Sequence, residues 1–196
     1  MGESPELSVL IHELGGALSS VQGFAHIAAE NPAHPDRERF IRLTASEARR
    51  AAQTVKDIHL LRSFDRGRIA TDPPAVELAS VLLEAARLRS GTGLRLVAGN
   101  EVMVKADPAK IAGLLARCLD AAVGPCRVAP GRAGTAVVFP IAPASELTRR
   151  DEALDAPYPD MVTWAILRRL LRHWGGDVTL AVEGEWTVAR AVFAPA

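Results

Sequence analysis

Two long runs of helical periodicity stand on either side of the segment Asn31-Pro32-Ala33-His34-Pro35. In the first run, Leu7, Leu10, Ile11, Leu14, Leu18, Val21 and Ala25 recur at three- and four-residue spacing and define one apolar face. In the second, Phe40, Leu43, Thr44, Ala48, Ala51, Val55, Ile58 and Leu61 alternate by three and four, the seam of a helix packed in a bundle. A helix cannot run through Pro32 and Pro35. The pattern therefore predicts one helix from Pro5 to about Glu30, with Ser4 as its cap and Pro5 at its first position. A second helix is predicted from about Asp36 to Asp65, folded back on the first. Two antiparallel helices alone leave apolar surface uncovered. A second copy of the chain would bury it in a four-helix bundle.

The rest of the sequence changes character. Gly67 to Pro74 reads as a linker. A helix over about Val76–Arg89 is followed by short strands near Leu94–Ala98 and Val102–Lys105. Asp107-Pro108 opens a helix that ends near Val123. Strands near Arg127–Val128 and Thr135–Ile141 come next, then a proline-containing loop over Ala142–Pro159. Met161–Trp174 is the last helix, ended by Gly175-Gly176. Val178–Val182 and Thr187–Phe193 form a hairpin around Glu183-Gly184-Glu185. The expectation is an α+β protein: a helical hairpin over residues 1–66, then a small α/β sandwich over residues 75–196.

Composition removes several functions. The 23 basic and 23 acidic residues balance, whereas a nucleic-acid binder carries a strong basic excess. No apolar run reaches the ~18 residues needed to span a bilayer, and there is no signal-peptide pattern. Cytoplasmic residence is expected. Cys118 and Cys126 make no metal-ligand spacing and read as buried thiols.

The chemistry-bearing residue is His12, beside Glu13. At ~100° per residue, His12 points roughly opposite the centre of the first helix's apolar face. A neutral imidazole is nucleophilic and can take and pass on a phosphoryl group near neutral pH. An adjacent carboxylate can orient or deprotonate the ring. His26, His34 and His59 read as surface or loop residues. His173, near the end of the last helix, suits that helix's C-terminus.

His12-Glu13-Leu14, followed by Leu18 and Gln22-Gly23-Phe24, resembles the H-box of sensor histidine kinases, usually His-Glu-Leu-Arg-Thr-Pro-Leu and a Ser-Ile-x-Gly-aromatic run. Residues 37–66 resemble the second helix of the family's dimerisation and phosphotransfer hairpin. Residues 75–124 and 161–194 resemble parts of its ATP-binding domain, with Ala106-Asp107-Pro108 opening the helix that carries the N-box. The departures fall on the nucleotide-binding elements. Ala121 stands at the position of the magnesium-binding Asn, and Arg117 replaces an earlier Asn. The strand Ala136-Val137-Val138-Phe139 leads to Pro140-Ile141-Ala142-Pro143-Ala144-Ser145 instead of an Asp-x-Gly-x-Gly loop. Asp160-Met161-Val162-Thr163-Trp164 replaces a second glycine-rich loop. Phosphate cradles need glycine so that backbone N–H groups can approach the anion.

The resemblance therefore implies a histidine phosphotransferase of a two-component phosphorelay, close to the dimeric bacterial phosphotransferases with a vestigial kinase domain. In that reading His12 carries the phosphoryl group and Glu13 assists. No nucleotide or other cofactor is bound, response-regulator receiver domains are the partners, and each receiver supplies the Mg²⁺. Gly15-Gly16-Ala17 in place of Arg-Thr-Pro leaves an open surface beside His12. Gly16 has no side chain to place the water that dephosphorylates a partner. The rival expectation is a pseudokinase adaptor that binds receivers or a kinase without carrying phosphate.

Overall fold

The computed structural model describes residues 5–88, 102–122, 124–131, 134–143 and 162–196. The expected strand near Leu94–Ala98 and most of the loop before the last helix lie outside these residues. The chain divides into two compact units, Met1–Arg68 and Ile69–Ala196.

The first unit is a helical hairpin of α1 (Pro5–Glu30) and α2 (Arg37–Asp65). The Asn31–Pro35 break sits between them, and Asp36 occupies the N-cap of α2 without a side-chain cap bond. Arg37 Nε donates to the Ala28 carbonyl at 3.2 Å, so one residue at the start of α2 satisfies an orphan carbonyl at the end of α1. Next to this turn, Phe24 stacks on Phe40 with ring centroids 6.2 Å apart. His34 meets Phe40 edge-on at 5.3 Å.

The apolar periodicity resolves into two stripes rather than one. Leu7, Leu10, Ala17 and Ala28 of α1 are buried, as are Ala51 and Leu61 of α2. Ile11 and Leu18 remain 46% and 49% exposed on α1, and Ile41 and Val55 remain 46% and 37% exposed on α2. Ala45, Ala48 and Ala52 are exposed between the last two. Ile11 and Leu18 are seven residues apart, and so are Ile41, Ala48 and Val55. That heptad spacing draws a second seam along each helix.

The second unit is an α/β assembly. Its helices are α3 (Leu78–Arg87), α4 (Pro108–Ala121) and α5 (Val162–His173). β1 (Ala75–Glu77) pairs antiparallel with β2 (Met103–Lys105). The main sheet has four antiparallel strands in the order β3-β4-β6-β5, from β3 (Arg127–Gly131), β4 (Gly134–Pro143), β5 (Asp177–Glu183) and β6 (Trp186–Phe193). Val137, Phe139, Ala189, Ala191, Phe193 and Val178 share one face by register and are all buried. The buried sides of α4 (Ile111, Leu114, Leu115, Cys118, Leu119) and α5 (Ile166, Leu167, Leu170, Leu171) complete this core.

Local chemistry explains most boundaries. Asp107 caps α4 by accepting from the Ala109 N–H at 3.1 Å, with Pro108 in the first turn. Gly175 ends α5 with a φ of 83°, and the Gly176 N–H reaches back to the Leu171 carbonyl at 2.8 Å. A Cβ at Gly176 would overlap the Val192 carbonyl oxygen, so no other residue lets α5 pass this close to β6.

Three expectations need correction. Val76 does not begin a helix but lies in β1 opposite Val104, and the helix starts at Leu78. β4 continues through Ala142 and Pro143, which were expected in a loop. The expected linker is largely part of the second unit: Ile69 is buried, and Trp174 Nε1 donates to the Ala70 carbonyl at 3.0 Å. The α+β class, with its hairpin and small sandwich, is as expected. Among the described residues no helix is long and apolar enough to cross a membrane.

One carboxylate ties α5 to β5. Burial pushes the Asp177 carboxyl up. Hydrogen bonds from Arg172, the Val178 N–H and Arg168, together with the Arg172 charge, outweigh it and hold the group below its ordinary value. A depressed carboxylate contributes stability above its unfolded-state pKa and loses it as pH falls through the folded value. Thermal denaturation between about pH 5 and pH 2 should therefore destabilise the wild type more steeply than Asp177→Asn. Parallel curves would show that Asp177 contributes nothing to the acid limb.

Candidate functional site

His12 lies on α1, two residues after the buried Leu10 and one after the exposed Ile11. Its side chain is exposed, and Glu13 beside it is half-buried. Periodicity explains the difference. The helix turns Leu10, Leu14 and Ala17 toward α2, Ile11 and Leu18 to one flank, and His12 away from both. A ring in that position is open to an approaching molecule without opening the core.

The surface next to His12 is bare. A Cβ built on Gly15 or Gly16 would meet nothing within 4 Å. Ser19, one turn further on, donates its hydroxyl to the Gly15 carbonyl at 3.0 Å.

Three of the other four histidines are engaged elsewhere. His26 Nε2 pairs with Glu30 at 3.2 Å, an exposed (i, i+4) pair on the same helix. His34 Nδ1 accepts from the Asp36 N–H at 3.0 Å in the turn. His59 is exposed on α2. His173, in the last turn of α5, has its Nε2 3.0 Å from the Ile69 carbonyl, which ties the end of α5 to the segment before β1. The Ile69 contact spans more than a hundred residues, and no local sequence signal marks it.

Among the described residues no cluster of three or more His, Cys, Asp or Glu side chains is arranged to hold a metal ion. Cys118 and Cys126 are buried thiols that form no disulfide with each other. Burial pushes the Cys118 thiol far up, beyond any useful population of thiolate, so it is no nucleophile.

Of the positions expected from the resemblance to correspond to nucleotide-binding elements, those at the start of α5 are taken up in packing. Arg117 Nε donates to Thr163 Oγ1 at 3.2 Å, joining α4 to the first turn of α5. Trp164 is buried and meets Phe139 of β4 edge-on, with ring centroids 5.3 Å apart. Val162 is buried as well, and Ala121 ends α4 as an exposed residue. Sequence spacing identified these positions, but not that they would contact each other.

No family model matches the chain, and no curated protein does. Solved structures do. The histidine kinase AdeS of Acinetobacter baumannii matches with a TM-score of 0.65 at 14% identity, over 94% of this chain and 98% of that one. Full-length ShkA, solved in complex with AMPPNP, matches with a TM-score of 0.50 at 19% identity, over 99% of this chain and 47% of that one. A bacterial phosphotransferase covers 94% of this chain and 92% of its own at 15% identity, with a TM-score of 0.49, too low to bear on the fold.

Two substitutions should separate the exposed histidine from the packed tryptophan. His12→Ala opens no cavity and should change stability by no more than about 0.5 kcal/mol. Trp164→Ala should cost about 3–5 kcal/mol, because it empties a buried aromatic site. Urea denaturation checks both, and a large loss for His12→Ala would mean that the ring is structural. The hairpin with its exposed histidine, followed by a helix-covered antiparallel sheet, gives this chain a histidine-kinase-like fold.

Proposed function

We propose that the protein is a histidine phosphotransferase of two-component signalling, relaying phosphoryl groups between receiver aspartates through His12 without using ATP. The observation that carries this reading is the exposure of His12 beside Glu13, on a helix whose buried residues Leu7, Leu10, Ala17 and Ala28 all turn elsewhere. A structural histidine would be packed or paired, as His173 and His26 are.

The reaction balances with one nucleophile on this chain. A neutral nitrogen of His12 attacks the phosphorus of a receiver's aspartyl phosphate. The N–P bond forms, the acyl phosphate P–O bond breaks, and the aspartate leaves as a carboxylate. The second transfer is the reverse, onto another receiver's aspartate. Glu13 assists by orienting the ring or taking its proton. The charge on the transferring group needs a cation, which the receiver supplies with its acidic pocket.

Side chains support independence from ATP. Thr163 accepts from Arg117 and Trp164 packs on Phe139, at the start of α5 where a nucleotide-binding protein of this fold would need glycine-rich backbone. Val162 and Thr163 carry β-branched side chains where close phosphate approach needs none.

Incubation with a phosphorylated receiver should place acid-labile phosphate on the wild type and none on His12→Ala, with receiver binding retained. Labelled ATP and Mg²⁺ alone should leave the protein unlabelled. Equal uptake by His12→Ala would move the acceptor elsewhere, His26 being next on the same helix. No uptake by either, with receiver binding intact, would favour the adaptor.

The exposed seam is assigned to a second copy of the chain. Ile11 and Leu18 with Ile41 and Val55 give each hairpin two apolar edges, and two hairpins joined along them form a four-helix bundle. Sedimentation at micromolar concentration should show a dimer. Leu18→Glu, which burdens the exposed stripe without touching the hairpin's own core, should shift it to monomer. A wild-type monomer refutes this assignment.

A further inference from the structure

We infer that the His12 site is completed by a second copy of the chain: Arg49 and Lys56 on α2 of one protomer flank His12 of the other and form a basic rim for the acidic face of a receiver. The inference rests on the dimer and phosphotransfer readings above, and adds which residues the second copy brings to the site.

The two helices of the hairpin are opposite in charge. α1 carries Glu6, Glu13 and Glu30 and no Lys or Arg, whereas α2 carries seven Lys or Arg against four acidic residues. Arg37 holds the Ala28 carbonyl, Arg42 pairs with Glu38 and Arg50 with Glu47. Arg49 and Lys56 are exposed, and among the described residues no ion pair or side-chain hydrogen bond engages either. They are seven residues apart and share one face, opposite the buried line of Ala51, Thr54 and Leu61.

Their height along the hairpin follows from a ring contact. Phe24 stacks on Phe40. In an antiparallel pair His12, twelve residues before Phe24, therefore lies level with Ala52, twelve after Phe40. Arg49 and Lys56 stand about one turn to either side of that level. Within one hairpin they are on the far side from His12, because α1 and α2 turn their outer faces away from each other.

Two hairpins can join along their exposed apolar edges with α1 on the other copy's α2, or with like helix on like. The same count sets Leu18 level with Ser46 and Ile11 level with Gln53. Joined α1 to α2, Leu18 meets the small Ala45 and Ala48, and Ile11 meets Ala52 and Val55. Joined like to like, alanine faces alanine along α2, and the two acidic helices lie side by side. Size and charge both favour α1 on α2, about a two-fold axis along the bundle. A half-turn about that axis keeps every level and swings the outer face of the second α2 to the side of His12. The partner's Arg49 and the partner's Lys56 then flank the ring, across a helix spacing of about 8–10 Å. A receiver that brings acidic oxygens to His12 finds there the two cations that α1 itself lacks. They speed its encounter and hold its acidic rim over the ring.

Receiver binding to the full chain, read without phosphate, tests this. Arg49→Glu/Lys56→Glu should stay dimeric in sedimentation, because neither residue lies on the seam. It should bind an unphosphorylated receiver domain at least about tenfold more weakly at low salt, with less dependence on salt. Arg49→Gln/Lys56→Gln should show the same loss in smaller degree. Mixed dimers then locate the rim. His12→Ala paired with Arg49→Glu/Lys56→Glu keeps one intact His12 beside an intact α2 of the other chain, and should transfer phosphoryl groups. Wild type paired with His12→Ala/Arg49→Glu/Lys56→Glu should transfer as poorly as the Arg49→Glu/Lys56→Glu homodimer. Equal transfer by both, or the opposite pattern, overturns the contribution of the second copy, and so does a wild-type monomer. Unchanged receiver affinity in the dimeric variants overturns the rim. A wild type that binds the receiver and takes no phosphoryl group sinks only the phosphotransfer reading, and the affinity loss still decides the rim.

Discussion

Two helices packed as a pair can bury only one side of each, and the first unit is organised around that limit. The 26-residue α1 and 29-residue α2 carry more apolar positions than one contact line can cover. Leu7, Leu10 and Ala17 take the inner line, while Ile11 and Leu18 are left on a flank. His12 is then confined to what remains, the solvent side. Its exposure follows from how its apolar neighbours are spent on the two lines. Moving the histidine back by one position, to that of Ile11, would place it in the outer apolar stripe.

The second unit shows the opposite economy. On the proposed ATP-independent reading, its sheet and helices place hydrophobic residues where a phosphate-binding protein needs backbone. Thr163 receives the Arg117 guanidinium, and Trp164 packs on Phe139. These contacts hold α4, α5 and β4 together at the end where a nucleotide loop would need to stay open. A tryptophan at the start of α5 adds apolar burial and an edge-to-face ring contact. It removes the close backbone approach that only glycine allows. The fold is retained while the residues at that end serve packing.

Much of this was legible in the sequence because it is local. α1 runs from Pro5 to Glu30 as its periodicity and the Asn31–Pro35 break require, and Asp107-Pro108 and Gly175-Gly176 mark ends that cap geometry explains. What was not legible depends on distant partners. The three-residue β1 has no pattern of its own and exists because Val76 pairs with Val104. His173 and Trp174 read as an ordinary helix end until Ile69 and Ala70 supply their acceptors. The split of the apolar face into an inner and an outer stripe was only half visible. Periodicity gives the angle between residues, while the partner helix decides which angles are buried.

If the proposed relay holds, labour is divided between this chain and its receiver partner by what each can hold. A phosphorylated imidazole needs access and a neutral ring, and His12 has access. On this reading the transfer also needs a divalent cation and acidic oxygens around the moving group, which the receiver brings. Placing the cation on the receiver means that the chemistry assembles only when the two proteins meet. A free His12 phosphate then has no metal beside it to speed its loss. Specificity passes to the surface around the ring, where Gly15 and Gly16 present backbone and Ile11 and Leu18 lie alongside. In that relay a site this sparse on its own chain would recognise its partner chiefly by shape and draw its catalytic power from the receiver pocket.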